Sequence, residues 1–227
     1  MAGVIFDFNG TLFEDADKQV AAWQAFALAH RGQALTAAEF DQHVHGQNNP
    51  MTLRYLLGCE LSAEEVAAFS EDKEQRYRQL CREDQENFHL RVGAVAFFER
   101  LQQANIPMTI ATASSPRNLD FFFEEFGLAQ WFDRKQVVYD DGTLPSKPAP
   151  DAFLKAASKL GCASQHTVVF EDSLSGIAAA VAAGGQVVGV QTHGDQAPIA
   201  RDPRLSAVIE AYTDSTPYLD PAFIKTL

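Results

Sequence analysis

The chain has 227 residues, 46% hydrophobic and 21% charged, which suits one large domain or a core with a small insert and excludes wholesale disorder. Eighteen Lys and Arg against 30 Asp and Glu leave a formal net charge of −12, a balance that repels phosphodiester backbones and anionic lipid. General nucleic-acid or membrane binding is therefore not expected, whereas a small phosphorylated metabolite, which responds only to its pocket, is a compatible partner.

The first residues, MAGVIFDFNG, reach Asp7 without the basic lead and long apolar stretch of a secretion signal. The apolar stretch from Ile177 to Val190 is broken by Gly184, Gly185 and Gln186 and is too short to span a bilayer. Cys59, Cys81 and Cys162 are odd in number and far apart, so neither a disulfide framework nor a structural zinc site is indicated. A cytoplasmic, monomeric protein is the expectation.

Short apolar runs bounded by turn residues recur along the chain. In order they are Val4–Phe6, Met108–Ala111, Val137–Tyr139, Thr167–Phe170 and Val187–Val190, each short and β-branched enough for a buried strand. Helical patterns lie between them at Gly93–Ala104, Pro116–Phe126, Pro150–Leu160 and Ser173–Ala183. Such alternation predicts an α/β fold with a doubly wound, mostly parallel sheet. The rhythm breaks after the first strand, where residues 15–86 hold no strand-like run. Capping boxes at Thr36-x-x-Glu39 and Ser62-x-x-Glu65 start helices there, and Gly32, Gly46 and Gly58 are placed to end them. The expected division is a core of residues 1–14 and 87–227 and an inserted all-helical unit of residues 15–86. The aromatic cluster of Phe121, Phe122, Phe123, Phe126, Trp131 and Phe132 is expected to serve packing.

In parallel sheets, ligand groups gather beyond the carboxyl ends of the strands. The first run ends in Asp7-Phe8-Asn9-Gly10-Thr11, the second in Thr112-Ala113-Ser114 and the fourth in Glu171-Asp172-Ser173, while Lys147-Pro148 lies in a Pro-rich loop. A potential nucleophile, a hydroxyl with backbone N–H groups, a cation and paired carboxylates together suit phosphoryl chemistry with a divalent metal. Each has a plainer reading as well. Asp-x-Asn-Gly favours turns, hydroxyls before Pro116 are ordinary caps, and Glu171-Asp172 could cap the following helix.

Four ordered blocks, FDFNGTL at 6–12, TIATASS at 109–115, SKPAPDAFLKAA at 146–157 and VFEDSLSGIAAA at 169–180, make the chain resemble the haloacid dehalogenase superfamily. The similarity is to the branch holding β-phosphoglucomutase and small sugar-phosphate phosphatases. It implies a Rossmann-like core with a helical cap inserted after the first block, closing over substrate. It also implies that Asp7 attacks phosphorus to form an aspartyl phosphate. Thr112 and the Ala113 N–H would bind the phosphoryl group, and Lys147 would neutralise the nucleophile and a phosphoryl oxygen. A Mg²⁺ ion would be held by Asp7, the Asn9 carbonyl and Asp172, with Glu171 acting through water. Ser114 and Ser115 are left to capping. In the cap, Gln47 falls in a loop that reads substrate in relatives, without the Arg often found there. Lys73 and Tyr77 match a Lys-x-x-x-Tyr pattern of β-phosphoglucomutase-like caps, although a lysine on a helix face is usually solvated.

Position 9 departs from the pattern. The superfamily's phosphatases and mutases carry a second Asp there as general acid and base, and Asn9 has no proton to exchange at neutral pH. Gln19 likewise stands where the mutase pattern has a His, so the resemblance favours a phosphohydrolase over a mutase. No residue clearly supplies the cap lysine of phosphonatases, and the Glu171-Asp172 pair argues against metal-free dehalogenases. Asn9 is open to three readings: an engineered substitution, a native enzyme that is slow or limited to activated leaving groups, or a phosphate-binding regulatory protein that has abandoned catalysis.

Overall fold

The computed structural model describes residues 1–44, 49–191 and 198–227. Strand β1 (Gly3–Phe6) is followed by helices α1 (Ala16–Arg31), α2 (Ala37–His43), α3 (Asn49–Leu57) and α4 (Ala63–Glu83). The chain then runs through α5 (Ala94–Gln103), β2 (Met108–Ile110), α6 (Pro116–Glu125), α7 (Asp151–Lys159), β3 (Thr167–Glu171), α8 (Leu174–Ala182), β4 (Gln186–Val190), β5 (Ala207–Ile209) and α9 (Pro221–Ile224). Two compact units result, one of Met1–Glu14 with His89–Leu227 and one of Asp15–Phe88.

The first unit is a Rossmann-like α/β fold. Its five strands are all parallel, in the order β2-β1-β3-β4-β5. β1 lies between β2 and β3, with Phe6 opposite Ile110 on one side and Phe170 on the other. The residues just past these three positions therefore emerge at one carboxyl edge, where the crossovers change direction. Every residue of β1 and β3 is buried, which explains their unbroken apolar character. Phe6 stacks on Phe170 at 5.2 Å between ring centroids, and Phe122 stacks on Phe8 at 4.3 Å. Phe132 packs edge-on against Phe98 at 5.0 Å, so the aromatic cluster serves the core.

The strand expected at Val137–Tyr139 does not form. Val137 and Val138 are buried, but they meet the sheet through a single parallel bridge between Ala111 and Val138. The exposed turn at Asp140–Gly142 follows at once and draws the backbone away. The fifth strand lies instead at Ala207–Ile209, a three-residue edge only partly buried.

In the helical unit both capping boxes form, with Thr36 and Ser62 accepting from the Glu39 and Glu65 amides. Gly32 ends α1 in the left-handed region, and the Gly58 N–H closes α3 on the Arg54 carbonyl at 2.9 Å. Gly46 and Gln47 lie outside the described residues. Trp23, Phe26, Phe40, Leu53 and Leu56 form the unit's own apolar core. Among the described residues, no helix is long and apolar enough to cross a membrane.

Candidate active site

Asp7 and Asn9 follow β1, and the Asp7 amide donates to the Phe170 carbonyl of β3 at 2.9 Å. The sheet thus fixes the backbone of Asp7 beside Glu171, the last residue of β3. Gly10 has φ +77°, and a Cβ there would fall 2.0 Å from Asp172 Oδ2. Only a glycine permits this turn and this approach together. The Thr11 hydroxyl donates to Asp172 Oδ1 at 3.0 Å, tying the first block to the fourth.

One oxygen from each of Asp7, Glu171 and Asp172 lies within 4.8 Å of the other two. The Lys147 ammonium donates to Asp7 Oδ1 at 2.6 Å and to Glu171 Oε2 at 2.7 Å and lies 5.0 Å from the centre of the Phe153 ring. Burial works to lower the Lys147 pKa, but the charges of Asp7 and Glu171 and their hydrogen bonds outweigh it, so the ammonium is held above its ordinary range. Asp172 moves the other way for an acid: burial, then Glu171, then Asp7 raise its pKa well above normal, against the Thr11 bond and Lys147. Three carboxylates thus share one lysine, leaving local negative charge to be compensated. An all-oxygen donor set of this kind fits Mg²⁺. Both oxygens of Glu171 are engaged, since Oε1 accepts from the Ser173 amide and hydroxyl at 3.1 and 2.7 Å while Oε2 holds Lys147. That arrangement suits an indirect role. Gly176 allows it, because a Cβ there would lie 2.0 Å from the Glu171 carboxyl carbon.

Thr112 is buried, with its amide on the Val138 carbonyl at 3.0 Å and its hydroxyl accepting from the Ser114 amide at 3.1 Å. Ala113 beside it is exposed. The expectation that Ser114 and Ser115 both serve capping is corrected in part. Ser115 caps α6, accepting from the Asn118 amide, whereas the Ser114 hydroxyl donates to Asn9 Oδ1 at 2.6 Å. Three hydroxyls before one Pro was the available signal, because one helix start uses only one of them.

Lys73, in the helical unit, is not solvated. It is 3% exposed, donates to Gln19 Oε1 at 2.6 Å and Glu74 Oε1 at 2.9 Å, and lies near the Trp23 and Tyr77 rings. Cation–π contact and the Glu74 carboxylate offset its burial, which a lone helix-face lysine in the sequence does not announce. The Tyr77 hydroxyl donates to Asp15 Oδ2 at 2.6 Å, an oxygen that also accepts from Gln19 at 3.1 Å.

Comparison with known proteins accords with this geometry. Residues 1–184 match the family model for haloacid dehalogenase-like hydrolases. The chain is 29% identical over 206 residues to hexitol phosphatase A of Escherichia coli (strain K12), covering 91% of this chain and 88% of the relative. It is 27% identical over 223 residues to the β-phosphoglucomutase of Mycobacterium bovis (strain ATCC BAA-935 / AF2122/97), covering 87% and 84%. A solved structure of a HAD hydrolase, family IA, variant 3 from Entamoeba histolytica HM-1:IMSS superposes with a TM-score of 0.90 at 34% identity, covering 99% of this chain and 100% of the other. The ordered blocks, the parallel sheet and the carboxylates gathered at its edge thus belong to a member of the haloacid dehalogenase-like hydrolase family, in the β-phosphoglucomutase and sugar-phosphate phosphatase branch.

Proposed function

We propose that this protein is a Mg²⁺-dependent phosphatase that removes the phosphoryl group from a small phosphorylated metabolite, of the sugar-phosphate kind, through an aspartyl phosphate on Asp7. The observation that carries the reading is the Lys147 ammonium bonded at once to Asp7 Oδ1 and Glu171 Oε2, at 2.6 and 2.7 Å. A carboxylate attacking a phosphate meets like-charge repulsion, and a fixed ammonium between them relieves it. Asp7 forms the new bond to phosphorus as the bond to the leaving oxygen breaks; water then cleaves the acyl phosphate and restores Asp7. Thr112 and the Ala113 N–H receive phosphoryl oxygens. Asp7, Asp172 and the Asn9 carbonyl would hold the metal, with Glu171 reaching it through water. When bound, the ion supplies positive charge that screens the phosphoryl oxygens.

Asn9 occupies the acid–base position and restricts the leaving group. Its amide can donate a hydrogen bond but cannot release a proton, so an alkoxide departs unaided at a cost of about 10²–10⁴ in rate. Acyl phosphates and phosphoanhydrides leave as stabilised anions and suffer less. The same substitution favours a second reading, a protein that binds a phosphorylated ligand without turning it over. A mutase is a weaker alternative, because Gln19, engaged by Asp15 and Lys73, offers no proton for a phosphosugar intermediate.

The test is incubation with acetyl phosphate and Mg²⁺, followed by mass spectrometry and phosphate release. A phosphoryl mass on Asp7 that turns over, and that Asp7→Ala abolishes, is expected. Phosphorylated metabolites that bind without any turnover, even of activated esters, would replace the enzyme reading with the binding one.

A further inference from the structure

Arg91 is a lone cation in His89-Leu90-Arg91-Val92, where the chain re-enters the α/β unit, and nothing in its sequence context marks it. It is nonetheless buried, with its side chain 4% exposed. Its Nη2 donates to the Gly10 carbonyl at 2.7 Å and its Nε to the Thr11 carbonyl at 3.2 Å. Its own backbone amide donates to the Leu12 carbonyl at 2.8 Å. Three successive carbonyls of the turn after β1 are thereby bonded to a single residue. The remaining arm, Nη1, donates to the Glu210 and Gln191 carbonyls at 3.0 and 3.2 Å, each one residue past the end of its strand, β5 or β4. Glu14 Oε2 lies 3.6 Å from the same nitrogen.

These acceptors share a location. All are main-chain oxygens at the carboxyl edge, and two of the three first-turn residues adjoin Asp172: Gly10, where a Cβ would collide with its carboxylate, and Thr11, whose hydroxyl donates to it. A guanidinium, with N–H groups spread in a planar fork, can bond carbonyls on several sides at once, whereas an ammonium is a compact point charge. We propose that Arg91 is a positioning residue of the active site, setting the carbonyl directions of the Gly10–Leu12 turn and, through that turn, the placement of Asp7, the Asn9 main chain and Asp172. This assignment rests on the phosphatase reading for its catalytic consequence, while the hold on the turn is independent of it.

The test uses the full chain and two variants, Arg91→Lys and Arg91→Ala, with two kinds of readout. Amide hydrogen exchange follows Gly10, Leu12 and Phe13, whose N–H groups bond Phe13 and Phe8 carbonyls within the turn, against Val168–Phe170 in β3. In Arg91→Lys the turn amides are expected to exchange about tenfold faster or more while β3 is unchanged, a local opening rather than a global one. Calorimetric Mg²⁺ affinity is expected to fall by about 10–100-fold, as when groups behind metal ligands are removed, with turnover lost in kcat rather than KM. Guanidinium ion at non-denaturing concentration is expected to restore part of the Arg91→Ala loss, and methylammonium is not. If Arg91→Ala does not fold, Arg91→Lys carries the test. Wild-type exchange in the turn of Arg91→Lys, or faster exchange spread through the whole sheet, would overturn the proposal. A loosened turn in a variant whose parent neither binds Mg²⁺ nor releases phosphate would instead count against the phosphatase reading and leave the role in setting the turn standing.

Discussion

The Ser114 hydroxyl donates to Asn9 Oδ1 at 2.6 Å, joining residues 105 positions apart in the chain. The contact directs the oxygen of the amide toward Ser114. It gives Asn9, at the proposed acid–base position, a fixed neighbour from the loop after β2, and it would stabilise a carboxylate in the same place by a charge-assisted hydrogen bond.

Asn9→Asp is therefore expected to raise kcat on sugar monophosphates by about 10²–10⁴-fold, the usual contribution of general acid–base catalysis. Phosphorylation of Asp7 by acetyl phosphate, whose leaving group needs no proton, should change far less, whereas hydrolysis of the aspartyl phosphate, which uses the same carboxylate as base, should speed up for either substrate. Adding Ser114→Ala to that variant should lower the gain. The pre-steady-state rate of Asp7 phosphorylation by both substrate types measures this; equal gains on both would show that Asn9 does not limit leaving-group departure.

Removing Lys147 leaves Asp7, Glu171 and Asp172 without their shared cation. Lys147→Met should abolish turnover and cost about 3–5 kcal/mol of stability, typical of breaking a buried ion pair from one side. Urea unfolding at neutral pH without divalent metal is the appropriate measurement, and Mg²⁺ should recover part of the loss. Unchanged stability would mean that the three carboxylates do not rely on the lysine.

Asp172 yields a pH dependence. Burial, Glu171 and Asp7 raise its folded pKa above the ordinary 3.8, so the folded chain retains a proton that the unfolded chain has released. Its contribution without metal therefore disfavours folding progressively as pH rises from about 3.9 through the folded value. On the proposed ligand set Mg²⁺ would displace that proton, so metal-induced stabilisation should grow with pH over the same window. Asp172→Asn is expected to raise the metal-free Tm and to abolish the Mg²⁺-dependent shift. Thermal melts across pH with Mg²⁺ or EDTA would show it, and a metal shift that survives the substitution would remove Asp172 from the ligand set.

Gly10→Ala combines two penalties. Left-handed backbone costs a residue with a Cβ about 1–2 kcal/mol, and the new methyl would lie 2.0 Å from Asp172 Oδ2, forcing that carboxylate or the turn to move. We expect lower stability together with weakened Mg²⁺ binding, read by denaturant unfolding and calorimetry. Retained metal affinity would mean that the Gly10–Asp172 approach is not needed for the site.

Much of the candidate site was legible because its pieces are local. Asp7, Thr112 and Glu171 each directly follow an apolar run or its last bridge, and strand alternation places such ends together whatever the details of packing. Val137–Tyr139 misled because three apolar residues satisfy a strand pattern while the Asp140–Gly142 turn permits only one bridge. β5, the equally short apolar Ala207–Ile209, forms because it pairs with β4 along its whole length, a partnership that a three-residue run does not announce.

The sequence by itself determined the parallel sheet, the helical insert, the membership implied by four ordered blocks, and the missing proton at Asn9, because each depends on residue identity or on periodicity within a short stretch. Tertiary structure alone decided that Lys147 bridges Asp7 and Glu171, that Ser114 serves Asn9 rather than a helix cap, that Lys73 is buried, and that Arg91 grips the Gly10–Leu12 turn. Those relationships join residues remote in sequence through the angular reach of particular side chains. Reach of that kind exists only once the strands have fixed where each backbone segment ends.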